Sequence, residues 1–147
     1  MAFSNIIKQR RTVRKLTSTP IQSSILEEIL ETASYAPFHS KKEPWRVITV
    51  ITNDEKLSML SAVFTSLDRL GFLNNLTKEQ YDNLYQSYKT YFLETPIHLI
   101  ITSIIEEDEK KNFEANAATC AFIQNLQLAA WELGIGVSWR TNHYNFD

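Results

Sequence analysis

Apolar positions repeat at helical spacing in some stretches of this chain and run unbroken in others, and the alternation predicts its elements. Ile25, Leu26, Ile29, Leu30 and Ala33 form one helical face, with a capping box expected from Ser24 and Glu27 and an end at Pro37. Residues 45–52, WRVITVIT, are apolar and β-branched on both faces, the mark of a buried strand. Leu57, Leu60, Phe64 and Leu67 return to helical spacing, with Asn53 or Asp54 as the cap and Gly71 at the end. A capping box at Thr77 and Gln80 opens a further helix carrying Tyr81, Leu84, Tyr85, Tyr88 and Phe92, which Pro96 stops. Residues 97–105 predict a second strand, and EEDEKK after it a solvated turn.

A long helix over residues 113–133 follows, rich in alanine, with a small-residue face suited to burial or to a subunit interface; Gly134 closes it. Residues 135–141, IGVSWRT, predict a third strand. At the other end of the chain, Ser4 predicts the cap of a short helix running into a cluster of arginines, and Thr19-Pro20 a turn. The order α-α-β-α-α-β-α-β implies helices covering a small sheet on both faces. Three strands make a thin sheet, so the expectation is a single domain over residues 1–147 that is C-terminally incomplete or is completed by a partner.

Composition narrows the class. A chain of 147 residues with 44% hydrophobic residues can bury a core as one domain. The net charge of −2 gives no basic excess for nucleic acid. No apolar run reaches membrane-spanning or signal-peptide length. Cys120 stands alone, so no intramolecular disulfide forms, which fits a cytoplasmic protein; mid-helix among alanines, it is expected to be buried.

Within this acidic chain, QRRTVRKL (residues 9–16) concentrates positive charge. If the stretch is extended, Arg10, Thr12 and Arg14 point the same way, a set that suits phosphate because guanidinium forks match its oxygens. The ordinary alternative is a solvated basic helix end complementing the dipole. A second polar cluster, residues 36–46, carries His39, Ser40, Lys41, Lys42 and Glu43 between Pro37 and Pro44. A third spans residues 129–142, where Gly134 and Gly136 permit close approach of a ligand or strand and Trp131 and Trp139, taken singly, read as core. His39, His98 and His143 have no metal-site spacing, and no nucleophile motif is present. Anion clamps without an acid, base or nucleophile point to chemistry carried by a cofactor.

RRTVR (10–14), APFHSKKEPWR (36–46) and NLQLAAWELGIGVSW (125–139), in that order, resemble the nitroreductase family of FMN-dependent oxidoreductases over nearly the whole chain. The resemblance implies an α+β sandwich, a central mostly antiparallel sheet flanked by helices, in an intertwined homodimer with FMN at the interface. It implies that Arg10, Thr12 and Arg14 hold the FMN phosphate and ribityl chain, with Arg11 contributing backbone. His39 and Glu43 would reach the flavin of the other subunit, and Trp139, Arg140 and Thr141 would border the isoalloxazine. The implied reaction is ping-pong: hydride passes from NAD(P)H through flavin N5 to a nitroaromatic, quinone or similar electrophile. The alternative is a truncated paralogue that binds flavin or dimerises without catalysis. Two departures stand out: Lys41 replaces the family's usual Asn, and Glu43 its usual Gln. A carboxylate accepts from flavin N3–H but cannot donate to the carbonyls. Family members also continue beyond the position of Asp147 with a helix, a strand joining the partner's sheet, and often a basic residue at the phosphate.

Overall fold

The computed structural model describes residues 2–39 and 43–147. Among the described residues, five α-helices and two strands follow the expected order: α1 (Phe3–Gln9), α2 (Ser23–Ser34), β1 (Trp45–Val50), α3 (Asn53–Arg69), α4 (Lys78–Glu94), β2 (His98–Ser103) and α5 (Glu109–Glu132). β1 and β2 pair as a two-stranded sheet. The Ile104 N–H, just past the end of β2, donates to Pro44 O, just before β1, at 2.8 Å, so the pair is antiparallel.

The third strand does not form. Residues 135–141 carry no strand, and a short 3-10 helix (His143–Phe146) follows. A strand exists only as part of a ladder. Here the Val13 N–H donates to Val137 O at 3.1 Å, and no neighbouring strand continues the pairing among the described residues.

Several caps shift. α1 starts at Phe3 after Ala2, so Ser4 lies inside it, and it ends at Gln9, before the arginines. α2 starts after Gln22 with no side-chain cap, which places Ser24 inside the helix. The box at α3 belongs to Thr52 and Glu55 instead of Asn53 or Asp54, because Thr52 is the last extended residue and its hydroxyl reaches Glu55 N–H. The Thr77–Gln80 box forms as expected. α5 starts before residue 113, because Asp108 accepts from Lys111 N–H at 2.9 Å and recruits the charged turn into the helix. Gly71 and Gly134 both take positive φ, +79° and +74°, where a helix must end in a left-handed residue.

The described residues form two compact units interleaved along the chain. The first comprises Met1–Lys15, Pro20–Ile48 and Leu99–Ser138. Its core pairs α2 with α5: Ile29 and Ala33 meet Ala118, Phe122, Leu126 and Ala130, and Trp45 stacks on Phe122 with ring centroids 4.9 Å apart. Truncating Phe122, 2% exposed, removes the centre of this cluster and costs about 3–5 kcal/mol. The alanine face of α5 is thus largely burial against α2, although Ala117 stays exposed. Cys120 is also exposed, contrary to expectation, because it lies on the side of α5 away from Ala118, Phe122 and Leu126.

The second unit comprises Leu16–Thr19, Thr49–His98 and Trp139–Asp147. α3 and α4 pack through Leu60, Val63, Phe64, Leu67 and Phe92, and Phe64 meets Tyr81, Tyr85 and Tyr88 edge-on. The backbone N–H groups of Ile51 and Thr52 both donate to the Glu55 carboxylate at 2.8 Å and hold its pKa below the ordinary value. Arg69 pairs with Asp147, and His143 lies over Phe72. No helix among the described residues is long and apolar enough to cross a membrane.

Candidate functional site

The arginine segment leaves α1 in extended form, with Arg10 at φ −53°, ψ 133°. Val13 anchors it. Its N–H bonds Val137 O, and its side chain lies so close to Gly136 that a Cβ there would sit 2.8 Å from Val13 Cβ and Cγ2. The freedom expected of Gly136 thus serves this close approach. With Val13 turned toward the protein, its neighbours Thr12 and Arg14 lie exposed, as period-two alternation requires, and Arg10 is half-buried.

The arginines divide by role. Arg11 folds back, its guanidinium donating to Lys8 O at 2.7 Å and Arg10 O at 2.8 Å. It therefore satisfies carbonyls at the end of α1, the ordinary reading of a basic helix terminus. Arg10 and Arg14 make no ion pair or side-chain hydrogen bond among the described residues. Two guanidiniums uncommitted among the described residues and the Thr12 hydroxyl on an anchored extended segment fit the donor chemistry a phosphate monoester needs.

His39 and Glu43 belong to the same unit but share no hydrogen bond or ion pair with the arginines among the described residues. His39 Nδ1 lies 3.7 Å from Glu114 Oε2 of α5, its ring packs on Phe38 at 4.7 Å, and Lys110 approaches the other Glu114 oxygen at 3.7 Å. Glu43 is exposed, and its carbonyl accepts from the Arg46 guanidinium at 2.9 Å. Glu43, Arg46 and Ser34 rim an open pocket of about 430 Å³ floored by Trp45 and Phe122. Ser40, Lys41 and Lys42, including the Asn-to-Lys departure, lie outside the described residues.

Trp139, Arg140 and Thr141 belong to the second unit, and all three are exposed. Trp139 is 46% exposed rather than core, since the strand that was to bury it does not form. The Arg140 guanidinium lies 4.6 Å from the centroid of the Tyr91 ring. Tyr91, 49 positions away in sequence, gave no signal of this partnership. Glu114 and the Val13–Gly136 contact were missed for the same reason.

Other titratable groups are structural. The His98 Nε2 lies 2.9 Å from Phe92 O, and burial, helped by the nearby Lys56 charge, pushes its pKa down. Burial pushes the Tyr144 phenol up. No cluster of His, Cys, Asp and Glu among the described residues could hold a metal.

The nitroreductase family model matches residues 7–147. The chain belongs to the nitroreductase family. As a member it is an oxidoreductase. It is 34% identical over 145 residues to the Bacillus subtilis protein named "Putative NAD(P)H nitroreductase YfhC", covering 97% of this chain and 71% of that protein. A nitroreductase-like family protein from Bacillus cereus superposes with a TM-score of 0.85 at 32% identity, over 99% of this chain and 73% of the other. A nitroreductase from Bacteroides fragilis solved with bound FMN gives a TM-score of 0.66 at 27% identity, over 92% of this chain and 67% of that one. The expected nitroreductase-like α+β architecture is therefore found, with one strand fewer than predicted.

Proposed function

We propose that this nitroreductase binds FMN and reduces small electrophiles with electrons from NAD(P)H. The observation that carries the reading is the pair of guanidiniums, Arg10 and Arg14, uncommitted among the described residues and flanking the exposed Thr12 hydroxyl on an extended segment fixed by Val13. The FMN-bound Bacteroides fragilis relative and the NAD(P)H nitroreductase name of the Bacillus subtilis relative support it.

When bound, FMN would supply hydride chemistry at N5, linking NAD(P)H to a nitroaromatic, quinone or similar acceptor in a ping-pong cycle. The chain's own tasks are binding and orientation. Arg10 and Arg14 hold the phosphate through bidentate, charge-assisted bonds, and Thr12 adds a hydroxyl donor. Arg11 keeps its side chain on the α1 carbonyls and offers only backbone. Glu43 would accept from the ring imide N–H, and His39, paired with Glu114, would reach the same ring. Trp139, Arg140 and Thr141 border the ring. No side-chain acid or base is required. A homodimer is proposed in which His39 and Glu43 serve the flavin of the second copy; Phe113 and Ala117, exposed on α5, offer an apolar contact face. A lone cysteine suits a cytoplasmic setting.

The test is a visible spectrum after incubation with FMN and removal of free ligand. A retained flavin band that NAD(P)H bleaches supports the reading, and Arg14→Ala should then weaken binding by about 1.5–3 kcal/mol, the scale of a charged hydrogen bond. A retained band that NAD(P)H leaves unchanged indicates a flavin binder without catalysis. A colourless protein refutes the proposal, and unaltered affinity in Arg14→Ala returns the arginines to a solvated helix end.

A further inference from the structure

We propose that Tyr91 is a positioning residue: its ring, through the Arg140 guanidinium, holds the Trp139–Thr141 segment in place. The inference rests on the reading that this segment borders the flavin.

The segment needs an anchor. It belongs to no strand, so no ladder fixes its backbone. What holds it is side-chain contact with α4. The Arg140 Cζ lies 4.6 Å from the Tyr91 centroid, within cation–π range. Tyr91 is itself held, half-buried, by edge contacts with Phe92 at 5.8 Å and His98 at 5.9 Å. Arg140 has no carboxylate partner among the described residues, and its guanidinium meets the face of the Tyr91 ring instead. A second tether follows at once. The Asn142 amide donates to the Tyr144 hydroxyl at 2.6 Å, and Tyr144 packs against the α3–α4 core. Residues 139–141 thus end in two fixed points, of which only Arg140–Tyr91 lies inside the segment. The Arg140 side chain is spent on this contact, which leaves the backbone and the Trp139 and Thr141 side chains to face a ligand.

The experiment is amide hydrogen exchange on peptides covering residues 139–141, in the apo full chain, paired with FMN titration. Tyr91→Phe keeps the aromatic face and should keep the wild-type exchange rate. Tyr91→Leu keeps apolar bulk but loses the face, and should speed exchange roughly two- to fivefold. Arg140→Met should match it, and the double variant should be no faster than either single one. FMN affinity should fall by a similar factor in Tyr91→Leu, with a shifted visible band for the flavin that remains. Unprotected amides in the wild type, unchanged exchange in Tyr91→Leu, or multiplying effects in the double variant overturn the tether. Faster exchange with unaltered flavin affinity and spectrum overturns its link to the cofactor. If Tyr91→Leu fails to fold, Arg140→Met, an exposed substitution, decides the same question. A wild-type chain that retains no FMN refutes the proposed function, while exchange still decides the tether.

Discussion

Gly136→Ala tests whether the Val13 anchor is as tight as the geometry states. The added Cβ would lie 2.8 Å from Val13 Cβ, 2.8 Å from Cγ2 and 3.0 Å from Cγ1. Carbon atoms in contact prefer about 3.5–4.0 Å, so one backbone must retreat by roughly 0.5–1 Å. Overpacking of this kind costs about 1–3 kcal/mol. The retreat also stretches the Val13 N–H bond to Val137 O, now 3.1 Å, adding about 1 kcal/mol. The expected loss of about 2–4 kcal/mol should lower the melting temperature by about 5–15 °C and weaken FMN binding, because Thr12 and Arg14 move with Val13. Urea unfolding and flavin titration measure both effects. Val13→Gly removes all three close atoms, so in a double-mutant cycle the pair should be less destabilised than the sum of its members; Val13→Ala, which keeps the Cβ, should rescue only part. A Gly136→Ala protein within about 0.5 kcal/mol of wild type, or strict additivity with Val13→Gly, would refute the anchor.

Gly134→Ala should cost about 1 kcal/mol through backbone strain alone, since its φ is +74° and the space around it is open; Asn should be tolerated better than Ala in the same unfolding assay. Thr52→Ala removes the α3 capping hydroxyl and should cost about 1 kcal/mol, with Thr52→Ser close to wild type. Burial and the Lys56 charge hold the His98 pKa below its ordinary 6.5, so the unfolded chain binds the extra proton first as pH falls. The His98 contribution is therefore present above about pH 6.5 and lost progressively below it, and His98→Gln should show a flatter fall in urea midpoint from pH 7.5 to 5.5; equal slopes would refute it.

Most of the elements were legible because their signals are local. The apolar spacings of α2, α3 and α4 are amphipathic within a few turns, and the two glycines at positive φ mark helix ends that only a left-handed residue can close. The boundaries were less legible where neighbouring residues compete for one role. Thr52, Asn53 and Asp54 can all cap a helix, and the choice falls on the residue whose backbone is still extended. The failed third strand has a different cause. Residues 135–141 have strand composition, but a strand is a relation between two chains of backbone, and the one bond supplied by Val13 is too little to make a ladder.

For the candidate site, the sequence supplied residue types and the fold supplied their availability. From QRRTVRKL alone, alternation puts Arg10 and Arg14 on one face and Arg11 on the other, but does not say which guanidiniums keep their donors. The fold separates them: Arg11 is consumed by the carbonyls of Lys8 and Arg10, while among the described residues Arg10 and Arg14 keep their donors. The same separation acts at Arg140, whose guanidinium is taken by Tyr91. A charged residue in a motif therefore counts as a ligand only after its intramolecular partners have been subtracted. By that measure the phosphate reading rests on Arg10, Thr12 and Arg14, and the contribution of residues 139–141 passes to their backbone and to Trp139 and Thr141. Exchanging Arg11 for Lys should thus disturb the end of α1 more than FMN affinity, whereas Arg14→Lys, which loses the bidentate fork, should do the reverse.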